Sequence, residues 1–481
     1  MKFSIKKLNL RVLLVFAAIL LNSCSKDSDD PTPQETPITV STADFSKTMD
    51  ENPTNGQLIG TVQGSTNEGS VTFSITEQTP AGAFAIDLAS GELKVSDETL
   101  FDFETNPTIT GTVKVANGTV SKNALVTITL NDLVEENIYD GDVILRSQQE
   151  VSDFGANNYT HITGYLVIGV PDGTGSSNIS DLSPLNTIKR IDNYIQIIKN
   201  SILTSTSGLN IHYLVGGISI TENPSLERIE GFNDITSILL LNLSNNDVLS
   251  DLSGLTQITE IQYNLSIIQC PLITNLDWLT NLTIAGNTIT ISSCDSLRNV
   301  NGLNNLRELT SESGSITVSY NDALENLDGL LNLNATLTTL YVMGNPLLQN
   351  ISGLENIDVY QTLKIIDNNL LQSLQGLEKV TRNFSIISIV NNNSLIELQG
   401  LNNLSHTYGE FNIRNNGGLT SLNGLNGLLN IWQIRLLDNT NLLDFCALQN
   451  AFTINGQTFY TATGNAYNPT KQDIIDGNCS L

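Results

Sequence analysis

The feature that most constrains this chain is internal repetition. An apolar-x-apolar-x-x-Asn/Cys element runs from Ile218 to Asn223, Leu241 to Asn246 and Leu265 to Cys270. It continues from Ile289 to Cys294, Ile316 to Asn321, Leu340 to Asn345, Leu363 to Asn368, Ile387 to Asn392, Phe411 to Asn416 and Ile434 to Asn439. Counted from Asn200, successive Asn/Cys positions are separated by 23, 23, 24, 24, 27, 24, 23, 24, 24 and 23 residues. A period of that length marks a stacked architecture, in which one repeat cannot bury its apolar side alone and gains a core only from its neighbours.

Between these elements a Gly-Leu pair or a variant recurs, from Gly208-Leu209 through Trp278-Leu279 to Gly424-Leu425. Within one rung the apolar residues are Leu226, Ile229, Phe232, Ile235, Ile238, Leu241 and Leu243, spaced three apart and finally two. This is no heptad, and Gly and Asn inside every rung oppose long helix. The pattern predicts a coil of short strands and turns filled by stacked aliphatic side chains, with rungs about 4.8 Å apart. The Asn is expected to point inward at a corner, where its amide can satisfy backbone groups and stack on the next Asn. Those asparagines are structural rather than catalytic.

The rung resembles bacterial leucine-rich repeats and, more closely, the receptor L domain. That resemblance implies a right-handed β-solenoid over residues 138–445. Gly141 to Phe154 and Gly164 to Ile168 read as an atypical first rung, as capping requires. The stretch Gly464-Asn-Ala-Tyr-Asn-Pro-Thr470 departs fully from the rung pattern, so residues 446–481 are expected to form a cap closed by a Cys446–Cys479 disulfide. Cys270 and Cys294 occupy ladder positions on adjacent rungs and read as small buried side chains; neither has metal-ligand spacing.

Residues 37–137 carry a different pattern: alternating apolar runs such as Val71 to Ile75, Gly111 to Val115 and Leu125 to Leu130, separated by Gly, Pro and Asn turns. This predicts a β-sandwich, so the fold class is mainly β throughout. The motif order, Asp50-Glu51 to Gly56, Phe84-Ala-Ile86-Asp87 to Val95, Phe101-Asp102-Phe103-Glu104 and Asn131-Asp132, resembles a cadherin-like repeat. The resemblance implies Ca²⁺ held by Glu51, Asp102, Glu104 and Asp132, an ion that takes six to eight oxygen ligands.

At the N-terminus, basic residues (Lys2, Lys6, Lys7, Arg11) precede an apolar run from Val12 to Leu21 that is too short to span a bilayer. Leu21-Asn22-Ser23-Cys24 follows and resembles a bacterial lipobox. Residues 1–23 are then a lipoprotein signal peptide, and Cys24 is lipidated and holds the chain on a membrane. Residues 24–36 are polar and proline-bearing, a flexible tether. Their Lys26-Asp27 and Asp29-Asp30 resemble the acidic signal that routes Bacteroidota lipoproteins to the outer face of the outer membrane.

Charge narrows the partners. The chain of 481 residues has 22 Lys+Arg against 49 Asp+Glu and a net charge of -27, which argues against nucleic acid because phosphate neutralisation needs basic surface. Enzymatic motifs are scarce. The histidines are His161, His212 and His406, in different rungs and with no acid at a recognisable spacing. The sequence holds no phosphate loop, no His-Glu-x-x-His and no Gly-x-Ser-x-Gly.

A binding face reads more positively. Two places before the ladder residue, three consecutive rungs carry Met343, Ile366 and Val390, with Tyr341 and Lys364 beside them. Such an apolar strip marks an interaction surface. The expected function is therefore a non-enzymatic surface lipoprotein that binds extracellular protein or glycan ligands. A structural envelope component and a polysaccharide-utilisation accessory protein are the alternatives.

Overall fold

The computed structural model describes residues 36–133, 136–311, 313–383, 385–454 and 457–481. Cys24, the expected signal peptide and nearly all of the expected tether lie outside them. The chain separates into two compact units, Met1–Val134 and Glu135–Leu481.

The described part of the first unit holds nine strands: β1 Val40–Thr42, β2 Phe45–Asp50, β3 Leu58–Thr61, β4 Gly64–Thr66, β5 Thr72–Thr79, β6 Phe84–Ile86, β7 Glu92–Val95, β8 Thr108–Asn117 and β9 Val120–Asn131. Four make one sheet in the order β2-β9-β8-β5, three make another in the order β3-β7-β6, and β1 pairs with β4. Inward side chains of both sheets share one core, including Phe73, Phe84, Leu93, Val113 and Ile128. The period-two alternation of β8 and β9 produces this, because one face of each strand is buried and the other meets solvent. β2 runs parallel to β9 with Asp50 opposite Asn131. That register delivers the residues following both strands to one place.

The second unit is built from the repeat. Among its described residues seventeen strands form one sheet, from Val143–Leu145 to Phe459–Thr463. The first apolar residue of each element lies opposite its equivalent one rung on: Ile218 meets Leu241, Leu241 meets Leu265, Leu265 meets Ile289, and so on to Ile434 and Tyr460. All of these pairings are parallel. A second parallel sheet stacks Ile138–Tyr139, His161–Ile162, Arg190–Ile191 and Tyr213–Leu214. The inward residues expected of one rung, from Leu226 to Leu243, are all buried.

The Asn ladder is present and continuous over most of its length. The backbone N–H and Nδ2 of Asn200 both donate to Asn223 Oδ1 (3.1 and 3.0 Å), and Asn223 donates likewise to Asn246 Oδ1 (3.1 and 3.2 Å). From Asn321 the same pairs run through Asn345, Asn368, Asn392, Asn416 and Asn439. Each amide also donates to a strand carbonyl, as Asn345 Nδ2 does to Val318 (3.1 Å). Immediately before each ladder residue the backbone turns left-handed, at Lys199, Glu222, Asn245, Gln269, Ser293, Tyr320, Gly344, Asp367, Asn391, Asn415 and Asp438, with φ between 53° and 66°. This turn releases the strand into the corner, and the N–H of the turned residue donates to the next rung, as Tyr320 does to Met343 O (2.9 Å).

The first end departs from the regular rung, and the tail departs from the sequence expectation. A helix, Gln148–Gly155, closes the first rung, capped by the Ser147 hydroxyl, which accepts from Glu150 N–H. The tail does not leave the rung pattern. Phe459–Thr463 is the last strand of the long sheet, Gly464 takes the left-handed turn (φ 71°), and Asn465 accepts from Asn439 N–H (3.0 Å). The 26-residue step from Asn439 to Asn465 and the helices flanking that strand, Gln449–Ile454 and Lys471–Ile475, hide the last rung from a search for strict periodicity. Cys446 and Cys479 are disulfide-bonded, as the sequence implied.

Candidate functional site

Three of the four expected Ca²⁺ ligands converge. One carboxylate oxygen from each of Glu51, Glu104 and Asp132 lies within 4.8 Å of the others. Glu51 follows β2, Asp132 follows β9, and Glu104 sits in the loop that leads to β8. Glu51 is 2% exposed, and its two oxygens accept from Phe103 N–H (2.6 Å) and Leu133 N–H (2.5 Å). The buried carboxylate thereby ties the loops that carry Glu104 and Asp132, both of which are exposed. Among the described residues no salt bridge reaches any of the three.

Asp102 is the exception. Its Oδ1 accepts from Glu104 N–H (3.0 Å) and Thr105 N–H (3.3 Å), and its Oδ2 accepts from the Thr105 hydroxyl (2.8 Å). It folds the loop and lies outside the group of three, though its side chain hydrogen-bonds with that of Glu104, and the Thr105 hydroxyl leads the hydrogen bonds that hold its carboxyl below the ordinary range. Glu104 moves the other way. A hydrogen bond from its own backbone lowers its carboxyl, but desolvation, the Glu51 charge, a side-chain hydrogen bond with Asp102 and the Asp132 charge outweigh that and leave it raised. Three acids that repel one another, with no protein cation among them, form a donor set suited to a hard divalent cation.

On the long sheet, Tyr341 lies opposite Lys364, and Met343, Ile366 and Val390 lie side by side on three successive rungs. The Lys364 ammonium sits 4.9 Å from the Tyr341 ring centroid. All five side chains are half-buried rather than fully exposed. Other positions of the same column are more buried still: Ile198, Thr221 and Ser319 are 7%, 8% and 4% exposed.

Cys270 and Cys294 are reduced and buried. Burial pushes their thiols up to about 11 and about 12. They interrupt the ladder without breaking the corner, because the Cys270 sulfur faces Asn246 N–H where an Asn oxygen would otherwise sit. Cys294 N–H returns to the regular pattern by donating to Asn321 Oδ1 (3.0 Å).

Two histidines do have acids, contrary to the reading from spacing. His161 Nε2 lies 2.8 Å from Asp192 Oδ2, and His212 Nδ1 lies 3.4 Å from Asp234 Oδ2. The 31-residue separation of the first pair hid it, since the partners meet only when rungs stack. Burial alone would raise the Asp192 carboxyl, but hydrogen bonds from Arg190 and His161 hold it below its ordinary range. The other ring nitrogen of His161 is buried and has no hydrogen-bond partner among the described residues.

No protein-family model matches the chain, and no curated protein matches it. Among solved structures it is similar to protocadherin gamma B2 extracellular cadherin domains 3-6, at 22% identity over 21% of this chain and 23% of that one, with a TM-score of 0.18. It is likewise similar to the human desmocollin-1 ectodomain, at 18% identity over 20% of this chain and 22% of that one, TM-score 0.18. A third is Drosophila N-cadherin EC1-4, at 20% identity over 21% of this chain and 28% of that one, TM-score 0.18. The chain thus spans less than a third of the length of each of these structures.

Proposed function

We propose that this chain is a non-enzymatic recognition protein of the cell surface, which binds an extracellular protein or glycan through the outer face of its long parallel sheet. The observation that carries the reading is the in-register stacking of that sheet. Each rung contributes the same outward positions, so side chains from many rungs form an extended array fixed by a rigid backbone. We read the repeat unit as a leucine-rich, receptor-L-like β-solenoid, and the first unit as a cadherin-like spacer. Lipidation at Cys24 would hold the protein at the outer membrane.

Glu51, Glu104 and Asp132 would hold Ca²⁺, whose charge would neutralise the three carboxylates and fix the loops that bear them. The ligand face is assigned to Tyr341, Met343, Lys364, Ile366 and Val390. A double variant, Tyr341→Ser with Ile366→Ser, is expected to abolish binding to the ligand found on target cells or matrix while keeping the native thermal melt. Undiminished binding by the folded double variant would remove this face from the account.

A further inference from the structure

A second feature of the long sheet, several rungs before Lys364, has the chemistry of a ligand pocket. Tyr165 and Tyr194 sit on adjacent rungs and stack with ring centroids 4.9 Å apart and an interplanar angle of 13°. One rung on, the equivalent position is Gly217, and the Leu240 side chain leans into the space it leaves: a Cβ at Gly217 would come within 2.4 Å of Leu240 Cγ. The result is an open pocket of about 510 Å³, within the size range of small-ligand sites.

Its lining is uncharged. The Tyr194 ring and Leu240 supply the apolar surface, and Gln196, Asn242, Asn264 and Ser266 supply amides and a hydroxyl. Asn242 Nδ2 donates to Ser219 Oγ (3.3 Å), and its own oxygen accepts from no donor among the described residues. The side chains of Gln196, Asn264 and Ser266 make no hydrogen bond among the described residues. On a chain of net charge -27, a pocket without a charged side chain offers an anion no counter-charge and disfavours it. A flat ring held in place by a second ring, with a crescent of unengaged donors and acceptors, matches a ligand that has both a C–H face and many hydroxyls.

We infer that this pocket is a subsite for a neutral oligosaccharide, whose pyranose face lies on Tyr194 while its hydroxyls bond to Gln196, Asn242, Asn264 and Ser266. The inference rests on the reading that the repeat unit recognises a ligand, but it assigns different residues and one ligand class. The test is calorimetric titration of the full chain with maltohexaose, cellohexaose, mannohexaose and xylohexaose, with hexagalacturonate as a charged control. At least one neutral sugar is expected to bind and the control is not. Tyr194→Ala should weaken that binding about tenfold or more, as loss of one aromatic contact does, and Tyr194→Phe should restore it.

Should Tyr194→Ala fail to fold, Gln196→Leu decides, with the same loss expected. Binding of none of the four neutral sugars overturns the inference, as does binding that survives both variants in folded protein. Binding abolished by Tyr341→Ser with Ile366→Ser, yet untouched at Tyr194 and Gln196, would overturn this subsite while leaving recognition by the sheet intact.

Discussion

Asn345 shows how much one side chain does in this molecule. It accepts from both the backbone N–H and the amide of Asn321, donates to Val318 O and Met343 O, and donates onward to Asn368, all in a buried corner. Removing it leaves the Asn321 backbone N–H without its acceptor and takes a donor from Val318 O in the buried corner, while Met343 O keeps Tyr320 N–H and the Asn321 amide keeps Ile291 O. Asn345→Ala should therefore cost roughly 2–4 kcal/mol in chemical unfolding of the repeat unit, since each unsatisfied buried group costs about 1–3 kcal/mol. A cost within experimental error of zero would mean the ladder is decorative. The inward Asn was legible from its period and its invariance of place. The left-handed residue before it was legible only in part: Asn245, Asp367, Asn391, Asn415 and Asp438 are types that tolerate positive φ, but Lys199, Gln269 and Tyr320 are not and conceal the rule. At those places the bonds to the next rung outweigh the local preference.

Among elements, the Gly-Leu corner sets how closely rungs approach. A Cβ at Gly302 would stand 1.7 Å from Leu276 O, and one at Gly329 would stand 1.9 Å from Val300 O. Gly302→Ala should destabilise the unit by about 1–3 kcal/mol or more, the usual range for forcing an atom into a filled space, and a melt unchanged from the parent would contradict the stacking. The acidic loops make a second prediction. Glu104 binds its proton more tightly folded than unfolded, so without a cation its contribution to stability is full at low pH and is lost as pH rises through its folded value. Ca²⁺ should reverse that loss, raising the melting point of the first unit at pH 7.5 by an increment that fades as acid protonates Glu104; at one hundred times Kd the gain is about 2.7 kcal/mol. Glu104→Gln with Asp132→Asn should remove the response, and a response that survives would place the ion elsewhere. The motif order pointed to Glu51, Glu104 and Asp132 but also to Asp102, because sequence gives a carboxylate's place in a loop and not the hydrogen bonds that turn it inward upon Thr105.

For the whole molecule, period and alternation made both β architectures legible, since each depends on local spacing that repeats. The pairs that unite different rungs were not legible: His161 with Asp192, and Tyr165 with Tyr194, stand 31 and 29 residues apart and meet only through the stacking register. The functional account needs the repeat unit to face the outside of the cell, whatever it binds. The most direct test is protease shaving of intact cells that express the full chain, followed by blotting for the repeat unit before and after lysis. The account predicts that the signal is lost from intact cells. Full protection, with cleavage only after lysis, would place the unit inside the envelope and contradict surface recognition.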